Sequence, residues 1–477
     1  MEKFDKPAGT NDFLPVQMVQ RNFVENVVRE TFETYGYAQV QTPLFESFAL
    51  LSAQSGEEIR HKMFTFVGSG VDYALRPELT APVCRLIANG VLKDLPYPYK
   101  LYYIGQCVRQ EPITNGTDVK REFRQAGVEL VGPASAYADA EVIAIPIRTL
   151  EELGISGTKL SIGNTGVFRE IFKQVALDAK DHGEIIWDID YLARLRAESR
   201  LWDLETLRDA LNMLCRSQGP DYQGVHKIDT SDVQELTEST AATYTEKLPT
   251  IAEETYKTAW HRDFGISEEI AQCCIDVSKI YGDKDTVMAA WEARLGDTAQ
   301  AARQALLTLC ECLENYDITD FEINLGITRG FDFYTGTVFQ IELTEKRLPL
   351  CGGGRYDGLI ASFGGPPTPG AGFAFQFDAL VDAYIDTGKA TGNGRKDYFI
   401  AVDTSERVSE AYRLAETLRR NGKNVEVDLM ERDFQAQRDY ANRLNYDYLL
   451  RLAADDSMYR IHLRTGDTQK TTVTDLL

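Results

Sequence analysis

The distribution of apolar residues divides the region 1–177 into a helix followed mainly by strands. Apolar residues recur at helical spacing from Met18 to Tyr35, and Gly36 then supplies a typical helix end. The segment VQTPLFE predicts an edge strand, because Pro43 cannot donate a backbone hydrogen bond to a neighbouring strand. Further along, KLYYIGQCVRQE and KREFRQAGVELVG predict two strands joined by a polar loop, and TKLSIGNTGVF predicts another strand.

The periodicity changes at residue 178, and up to residue 316 strand patterns give way to Leu, Ala, Glu and Arg at helical intervals. We interpret 178–316 as an inserted helical domain. Strand patterns resume in 317–386, which we assign to the same sheet domain as 1–177. The polar segment 387–396 predicts a linker, and 397–477 alternates strand and helix, as in a small α/β domain with a largely parallel sheet. The predicted fold class is α+β.

A glycine-rich stretch follows the predicted insert. Thr337–Leu343 and Gly370–Phe377 predict two apolar strands, and three consecutive glycines, Gly352–Gly354, predict a loop between them. Glycine allows backbone to approach a neighbour or a ligand where any Cβ would collide. Taken alone, the glycines favour a tight corner of the sheet. The nearby polar and aromatic residues instead favour a pocket for a small ligand that carries a carboxylate: Arg329, Tyr334, Arg355 and Tyr356.

Charged and polar residues also occupy one face of several predicted strands. LRPELT places Arg76, Glu78 and Thr80 on one alternating face, VRQE places Arg109 with Glu111, and FRQAGVE places Gln125 with Glu129. Each residue by itself is equally compatible with a structural ion-pair network. As a set, they provide acceptors and donors in numbers that suit a zwitterion, in which carboxylates meet a cationic group and arginines meet a carboxylate.

The composition and charge of the chain limit which classes of function are compatible with the sequence. The net charge is −22 and the isoelectric point is about 4.8, which argues against nucleic-acid binding over the whole surface but leaves room for a local basic patch. The eight cysteines include no CxxC pair, so buried free thiols are favoured over a metal site. No apolar run is long enough to span a membrane and no signal core opens the chain, so we expect a cytoplasmic protein.

Several blocks, in order, resemble the histidyl-tRNA synthetase family of class II synthetases: GTNDFLP, TPLFE, LRPELTAP, VRQE…REFRQAGVELVG, RGFDFYTGTVF, GGGRYDGL and GGPPTP. The resemblance implies an antiparallel class II sheet with flanking helices, an inserted helical domain and a C-terminal anticodon-binding-like domain. It also implies a set of histidine-binding residues: Glu78, Thr80, Arg109, Gln125, Glu129, Arg329, Tyr334, Gly353 and Tyr356.

The chain departs from that family in its third class II motif. The synthetases read like GFAIGLERL, and their arginine holds the ATP phosphates, whereas this chain reads GFAFQFDAL. Gln376 therefore replaces a glycine, Ala379 stands where the arginine is expected, and Phe333 replaces a tyrosine. At these departures, in the block Ile162–Glu170 and in QAGVELVG, the chain resembles a non-synthetase paralogue, the regulatory subunit of ATP phosphoribosyltransferase.

Two functions follow from these resemblances. The first is a regulatory subunit in histidine biosynthesis that binds histidine as effector and activates a separate short catalytic subunit. This interpretation implies no catalytic residues, no cofactor and no metal in this chain, a homodimer core within a hetero-oligomer, and no tRNA partner. The alternative is a divergent histidyl-tRNA synthetase, supported by Arg109, Arg329 and the C-terminal domain.

Overall fold

The protein is described from a computed structural model. The structure describes residues 4–53, 57–111, 120–329, 333–389, 396–430 and 432–477, apart from 176, 178, 200, 201, 203, 220, 221, 223, 225, 226, 229–232 and 235. The described chain forms two compact units, one of Met1–Asp12 with Val24–Gly388 and one of Phe13–Phe23 with Lys389–Leu477. Most of the predicted linker 387–396 lies outside the described residues. None of the described helices combines the length and the apolar character needed to cross a membrane.

A nine-stranded, mainly antiparallel sheet forms the centre of the first unit, in the order β1-β5-β6-β12-β11-β10-β7-β9-β8. Its strands are β1 Ala38–Gln39, β5 Tyr99–Val108, β6 Glu122–Val131, β7 Thr158–Asn164, β8 Tyr281–Gly282, β9 Glu322–Asn324, β10 Thr337–Leu343, β11 Leu348–Arg355 and β12 Gly370–Gln376. A separate three-stranded sheet contains β2 Phe45–Ser47, β3 Thr65–Gly68 and β4 Val71–Leu75.

Helices flank the sheets of the first unit. They are α1 Pro15–Thr34, which belongs to this unit from Val24 onward, α2 Phe48–Ser52, α3 Glu57–His61, α4 Thr80–Ala88, α5 Ala136–Leu153, α6 Gly166–Phe172, α13 Leu359–Ser362 and α14 Phe377–Asp386. The apolar core between α4, α13 and the sheet contains Leu79, Val83, Tyr103, Val338 and Ile360. Burial of such side chains stabilises the fold by about 25 cal/mol per Å² of apolar surface removed from water. This core supports the site from behind.

The segment 178–316 is mainly helical where the structure describes it. Its helices are α7 Ala179–Glu198, α8 Leu204–Gln218, α9 Glu238–Phe264, α10 Glu268–Val277, α11 Lys284–Leu295 and α12 Gln300–Glu314. Trp260 and Trp291 are fully buried in this region. The insert also contributes the short strand β8, which extends the central sheet beside β9, so it is joined to the sheet domain by backbone hydrogen bonds.

The three glycines lie in a strand and not in the predicted loop. Gly352–Gly354 are part of β11, between β10 and β12. A Cβ added to Gly353 would stand 2.1 Å from the carbonyl oxygen of Gly372 on β12. The glycines suggested a turn, but they are needed here for a different reason: the neighbouring strands approach so closely that they leave no room for a Cβ.

The segment LRPELT is not the alternating strand that we predicted. Strand β4 ends at Leu75, and helix α4 begins at Thr80. The Glu78 carboxylate accepts hydrogen bonds from the backbone N–H groups of Thr80 and Ala81, at 2.5 and 3.1 Å, and so caps the helix. Arg76 points elsewhere: its guanidinium donates to the carbonyl oxygens of Gln106 and Thr42.

The second unit contains a five-stranded sheet in the order β14-β13-β15-β16-β17. Its elements are β13 Tyr398–Val402, α15 Val408–Arg420, β14 Val425–Val427, α16 Phe434–Arg443, β15 Tyr448–Leu452, β16 Met458–His462, β17 Thr468–Lys470 and α17 Val473–Leu476, with a 3-10 turn at Ser405–Arg407. Strands β13, β14 and β15 are parallel, whereas β16 and β17 are added antiparallel. The predicted α/β unit is present, but its sheet is mixed rather than largely parallel.

Candidate active site

A cavity of about 610 Å³ opens on the face of the central sheet. Its walls come from strands β6, β11 and β12, from Arg109 just after β5, and from the first turns of α4 and α14. Its lining is mixed, as is typical of sites that orient a polar ligand with a few fixed groups. The lining includes Glu78, Thr80, Arg109, Gln125, Arg329, Tyr334, Gly352, Tyr356, Gln376 and Ala379.

Arg329 lies at the glycine strand. A Cβ added to Gly352 would stand 1.6 Å from Nη1 of Arg329, so only glycine leaves room for the guanidinium there. Nη1 donates to the carbonyl oxygen of Phe339 at 3.3 Å. Nε is buried and has no hydrogen-bond partner among the residues that the structure describes. A cation held against backbone in this way is placed to meet a carboxylate in the cavity.

Two buried carboxyl groups, Glu78 and Glu129, lie at the cavity wall or behind it, and they differ in role. Glu78 is 7% exposed and already engaged with the first turn of α4. Burial raises the pKa of Glu78, while its hydrogen bonds to the Ala81 and Thr80 backbone and the charge of Arg109 lower it. Because a carboxylate at a helix N-terminus is held in place, Glu78 presents a fixed acceptor at the cavity wall.

Glu129 is fully buried behind that wall. Tyr356 donates a short hydrogen bond to its Oε2, and Tyr103 donates to its Oε1 at 3.1 Å. Burial raises the pKa of Glu129 to about 8, with the Tyr356 hydrogen bond acting in the opposite direction. A Cβ on Gly372 would stand 2.1 Å from Oε2, so this glycine makes space for the carboxyl group. Glu129 therefore orients Tyr356, which lines the cavity.

The other end of the cavity is richer in cations. Arg109 donates from Nε to the carbonyl oxygen of Pro77 at 2.9 Å, and its guanidinium carbon lies 5.0 Å from the centre of the Phe123 ring. Lys120 and Arg124, at the beginning of β6, line the same end. Nζ of Lys120 is 3.4 Å from Oδ2 of Asp382, a residue that lies one turn beyond Ala379 on α14. A flat ring and three cations at one end are suited to a nucleotide.

The structure brings most of the predicted site residues together. Seven of the nine line the cavity: Glu78, Thr80, Arg109, Gln125, Arg329, Tyr334 and Tyr356. Gly353 and Glu129 are not among the lining residues. Gly353 is displaced because side chains alternate along a strand, so its neighbour Gly352 faces the cavity. Arg355, also expected at the pocket, instead pairs with buried Asp139, from Nη2 to Oδ1 at 2.5 Å.

Sequence reasoning missed several lining residues. Lys120 borders a polar loop that carried no periodic signal, and Phe123, Arg124 and Phe373 looked like ordinary strand residues. The alternation of FRQAGVE does place Phe123 on the face of Gln125, and this signal was available. Among the described residues, no group of three or more His, Cys, Asp or Glu side chains is arranged to hold a metal ion.

The chain is similar in sequence to proteins of one known family. The family profile described as histidyl-tRNA synthetase matches residues 9–257 and 233–380. The histidine–tRNA ligase of Methanococcus maripaludis (strain S2) is 32% identical over 458 residues, 95% of this chain and 93% of its own length. That of Methanocaldococcus jannaschii is 33% identical and covers 92% of this chain and 89% of its own length.

Solved structures show the same fold. The histidyl-tRNA synthetase of Nostoc sp. PCC 7120 superposes with a TM-score of 0.69 at 20% identity, covering 100% of this chain and 99% of that one. A Bacillus halodurans protein described as an ATP phosphoribosyltransferase regulatory subunit/histidyl-tRNA synthetase gives 0.66 at 24% identity, covering 95% and 99%. The predicted class II synthetase-like fold with a C-terminal α/β domain is confirmed.

The prediction of a non-catalytic regulatory subunit of ATP phosphoribosyltransferase is wrong. Relatives that match almost the whole chain at 32% and 33% identity are histidine–tRNA ligases, which are enzymes. That prediction rested on the departures at Gln376, Ala379 and Phe333 and on the blocks Ile162–Glu170 and QAGVELVG. In the structure, Ala379 is not the sole determinant of the charge in the cavity, because Arg109, Lys120 and Arg124 line it as well.

Proposed function

This chain belongs to the histidyl-tRNA synthetase family, and from that membership we propose that it is a histidine–tRNA ligase. It would form histidyl-adenylate from histidine and ATP, and then transfer the histidyl group to tRNA. The observation that carries the proposal is the single cavity that joins an amino-acid end, around Arg329 and Glu78, to a cationic end, around Arg109 and Lys120. Adenylate formation needs both substrates in one space.

At the amino-acid end, the proposal assigns the ligand's carboxylate to Arg329. The amino and imidazole groups of the ligand are assigned to two other lining residues that offer acceptor oxygens: Glu78, held at the start of α4, and Gln125. Tyr356, held by Glu129, adds a hydroxyl to the lining. Each polar group of the bound histidine would thus meet a group of opposite charge or a hydrogen-bonding partner. Such matching gives selectivity as well as affinity.

At the cationic end, the reacting groups would be the α-phosphorus of ATP and a carboxylate oxygen of histidine. Attack of that oxygen forms a bond to phosphorus, and the bond to the pyrophosphate oxygen breaks. Arg109, at this end, would stabilise the charge that accumulates on the phosphate oxygens. The ring of Phe123 and the methyl group of Ala379 would border the space for the base.

The proposal is tested by pyrophosphate exchange into ATP that depends on histidine. We expect exchange with histidine and none with phenylalanine, whose ring cannot satisfy the polar wall. Charging of a tRNA(His) transcript with labelled histidine tests the second step. Absence of histidine-dependent exchange at millimolar substrates, in protein shown to be folded, would refute the proposed ligase. The matched variant Arg109→Met should lose exchange and keep its fold, because Arg109 lies at the cavity wall and not in the core.

We also propose that the protein is a homodimer in the cytoplasm, where its tRNA substrate resides. The three-stranded sheet exposes an aromatic cluster in which the Phe45 ring lies 5.7 Å from Phe66 and 5.5 Å from Tyr73. Phe45 is 48% exposed and Val67 is 73% exposed. Exposed apolar patches of this kind mark contact surfaces. Light scattering should give a mass in solution of twice the 53.6 kDa of one chain, and the Phe66→Lys variant should have a lower mass in solution.

A further inference from the structure

One helix of the insert contacts the turn that carries Arg329. Asp190, on α7, accepts hydrogen bonds at Oδ1 from the backbone N–H of Thr328 at 3.0 Å and from that of Arg329 at 2.7 Å. The Thr328 hydroxyl donates to the carbonyl oxygen of Ile186, one turn earlier on the same helix, at 3.0 Å. The same hydroxyl lies 3.4 Å from Oδ1 of Asp190 as well, so four hydrogen bonds attach the turn to α7.

Close packing brings the two segments together at the same place. A Cβ added to Gly326 would stand 3.1 Å from the Cβ of Ala193 and 2.5 Å from the carbonyl oxygen of Ser278. Thr328 is fully buried, and the Asp190 side chain is only 13% exposed. The second oxygen of Asp190 is 3.3 Å from Nε of Arg194, which fixes the carboxylate from the other side. Because water has little access here, these hydrogen bonds have few competitors.

The backbone of Arg329 has a conformation that needs such support. Its φ is +64°, in the left-handed region, where a residue with a Cβ is disfavoured. Backbone of this kind persists only when its surroundings impose it, and it concentrates at functional sites. The two N–H groups bound by Asp190 are those on either side of the Thr328 carbonyl, so the carboxylate holds the turn at the point of strain.

We propose that Asp190 is a positioning residue of the active site. It keeps the Thr328–Arg329 turn in its left-handed conformation and so keeps the Arg329 guanidinium over Gly352, facing the amino-acid carboxylate. The helical insert, whose role the sequence left open, thereby becomes part of the machinery that binds the amino acid. The identity of that ligand as histidine rests on the proposed function, whereas the attachment of the turn by Asp190 does not.

The test compares Asp190→Ala and Asp190→Asn with Asp209→Ala, which removes an exposed carboxylate from another helix of the insert. Loss of two hydrogen bonds to a charged acceptor should weaken histidine binding about tenfold or more in Asp190→Ala. Asp190→Asn keeps one acceptor oxygen and should recover part of the affinity. The KM for ATP should stay within about twofold of the parent value in all three variants, because the cationic end is untouched.

Hydrogen exchange of the peptide that contains residues 325–329 provides a readout independent of activity. We expect faster exchange in Asp190→Ala and Asp190→Asn than in the parent and in Asp209→Ala. Unchanged exchange would overturn the attachment. Faster exchange with unchanged histidine affinity, or an equal loss for histidine and ATP, would overturn the positioning role. If the parent protein fails to bind histidine at all, the proposed function fails, while the exchange result still decides whether Asp190 holds the turn.

Discussion

Gly352 lies directly beneath the guanidinium of Arg329, at a point where a Cβ would stand 1.6 Å from Nη1. This relationship joins the two features that the sequence singled out, the glycine run and the arginine that precedes it. It also explains why a glycine occupies the middle of a central strand, where it weakens the strand in other circumstances.

Gly352→Ala should therefore move Arg329 out of position. The methyl group and the guanidinium cannot share the same volume, so we expect histidine affinity to fall about tenfold or more, with a smaller effect on unfolding by urea. Isothermal titration with histidine measures the first effect. Gly358→Ala is the matched control, because a Cβ at Gly358 meets nothing within 4 Å. Equal affinities for the two variants would contradict the assignment.

Glu129 should make stability depend on pH. Its pKa is about 8 in the folded chain, against an ordinary value of 4.5. Between these values the folded protein keeps a proton that the unfolded chain has released. The free energy of unfolding should thus fall as pH rises through this window, by at most about 1.4 kcal/mol per pH unit from this group.

Urea unfolding between pH 5.5 and 8 tests this expectation. Glu129→Gln keeps a neutral side chain at every pH and should show a flatter dependence than the parent. Glu152→Gln, which changes an exposed carboxylate, should keep the parental slope. If the free energy of unfolding changes equally with pH in the two variants, Glu129 is not the group that causes the pH dependence.

Lys120 should contribute to ATP binding in place of the arginine missing at Ala379. It lines the cationic end of the cavity, and its ion pair with Asp382 at 3.4 Å is partly exposed and contributes little to stability, about 0–1 kcal/mol. Lys120→Met should raise the KM for ATP about tenfold with little change in that for histidine. Lys346→Met removes a similar ion pair with Asp386 at the far end of α14 and should change neither constant. Equal behaviour of both variants would contradict this role.

The Arg355–Asp139 pair should stabilise the fold without serving the ligand. Both side chains are 8% exposed, so Arg355→Leu leaves a carboxylate buried without its cation and should cost about 3–5 kcal/mol in unfolding free energy. Histidine affinity should change little in the protein that remains folded. The double variant Asp139→Leu with Arg355→Leu should recover much of the loss. Stability can be measured by urea denaturation, and a strong loss of affinity would instead return Arg355 to the site.

Much of the fold could be predicted because its periodic segments are long. Thr337–Leu343 was predicted as a strand with the bounds that the structure shows. The strand predicted at Gly370–Phe377 ends one residue earlier, at Gln376. The errors occur where tertiary structure overrides a local signal. The Gly352–Gly354 run looks like a loop but pairs on both sides, and the Glu78 segment looks like a strand but caps a helix.

The sequence by itself determined the family, the fold class and seven of the residues that line the cavity, because ordered motifs and alternating strands are local properties of the chain. Only the tertiary structure decided which of the neighbouring glycines faces the cavity. Gly352 rather than Gly353 does so, and Glu129 acts through Tyr356, because strand register and depth are set by partners distant in sequence. The hydrogen bond between Asp190 and Arg329 spans 139 residues, and no local pattern encodes it.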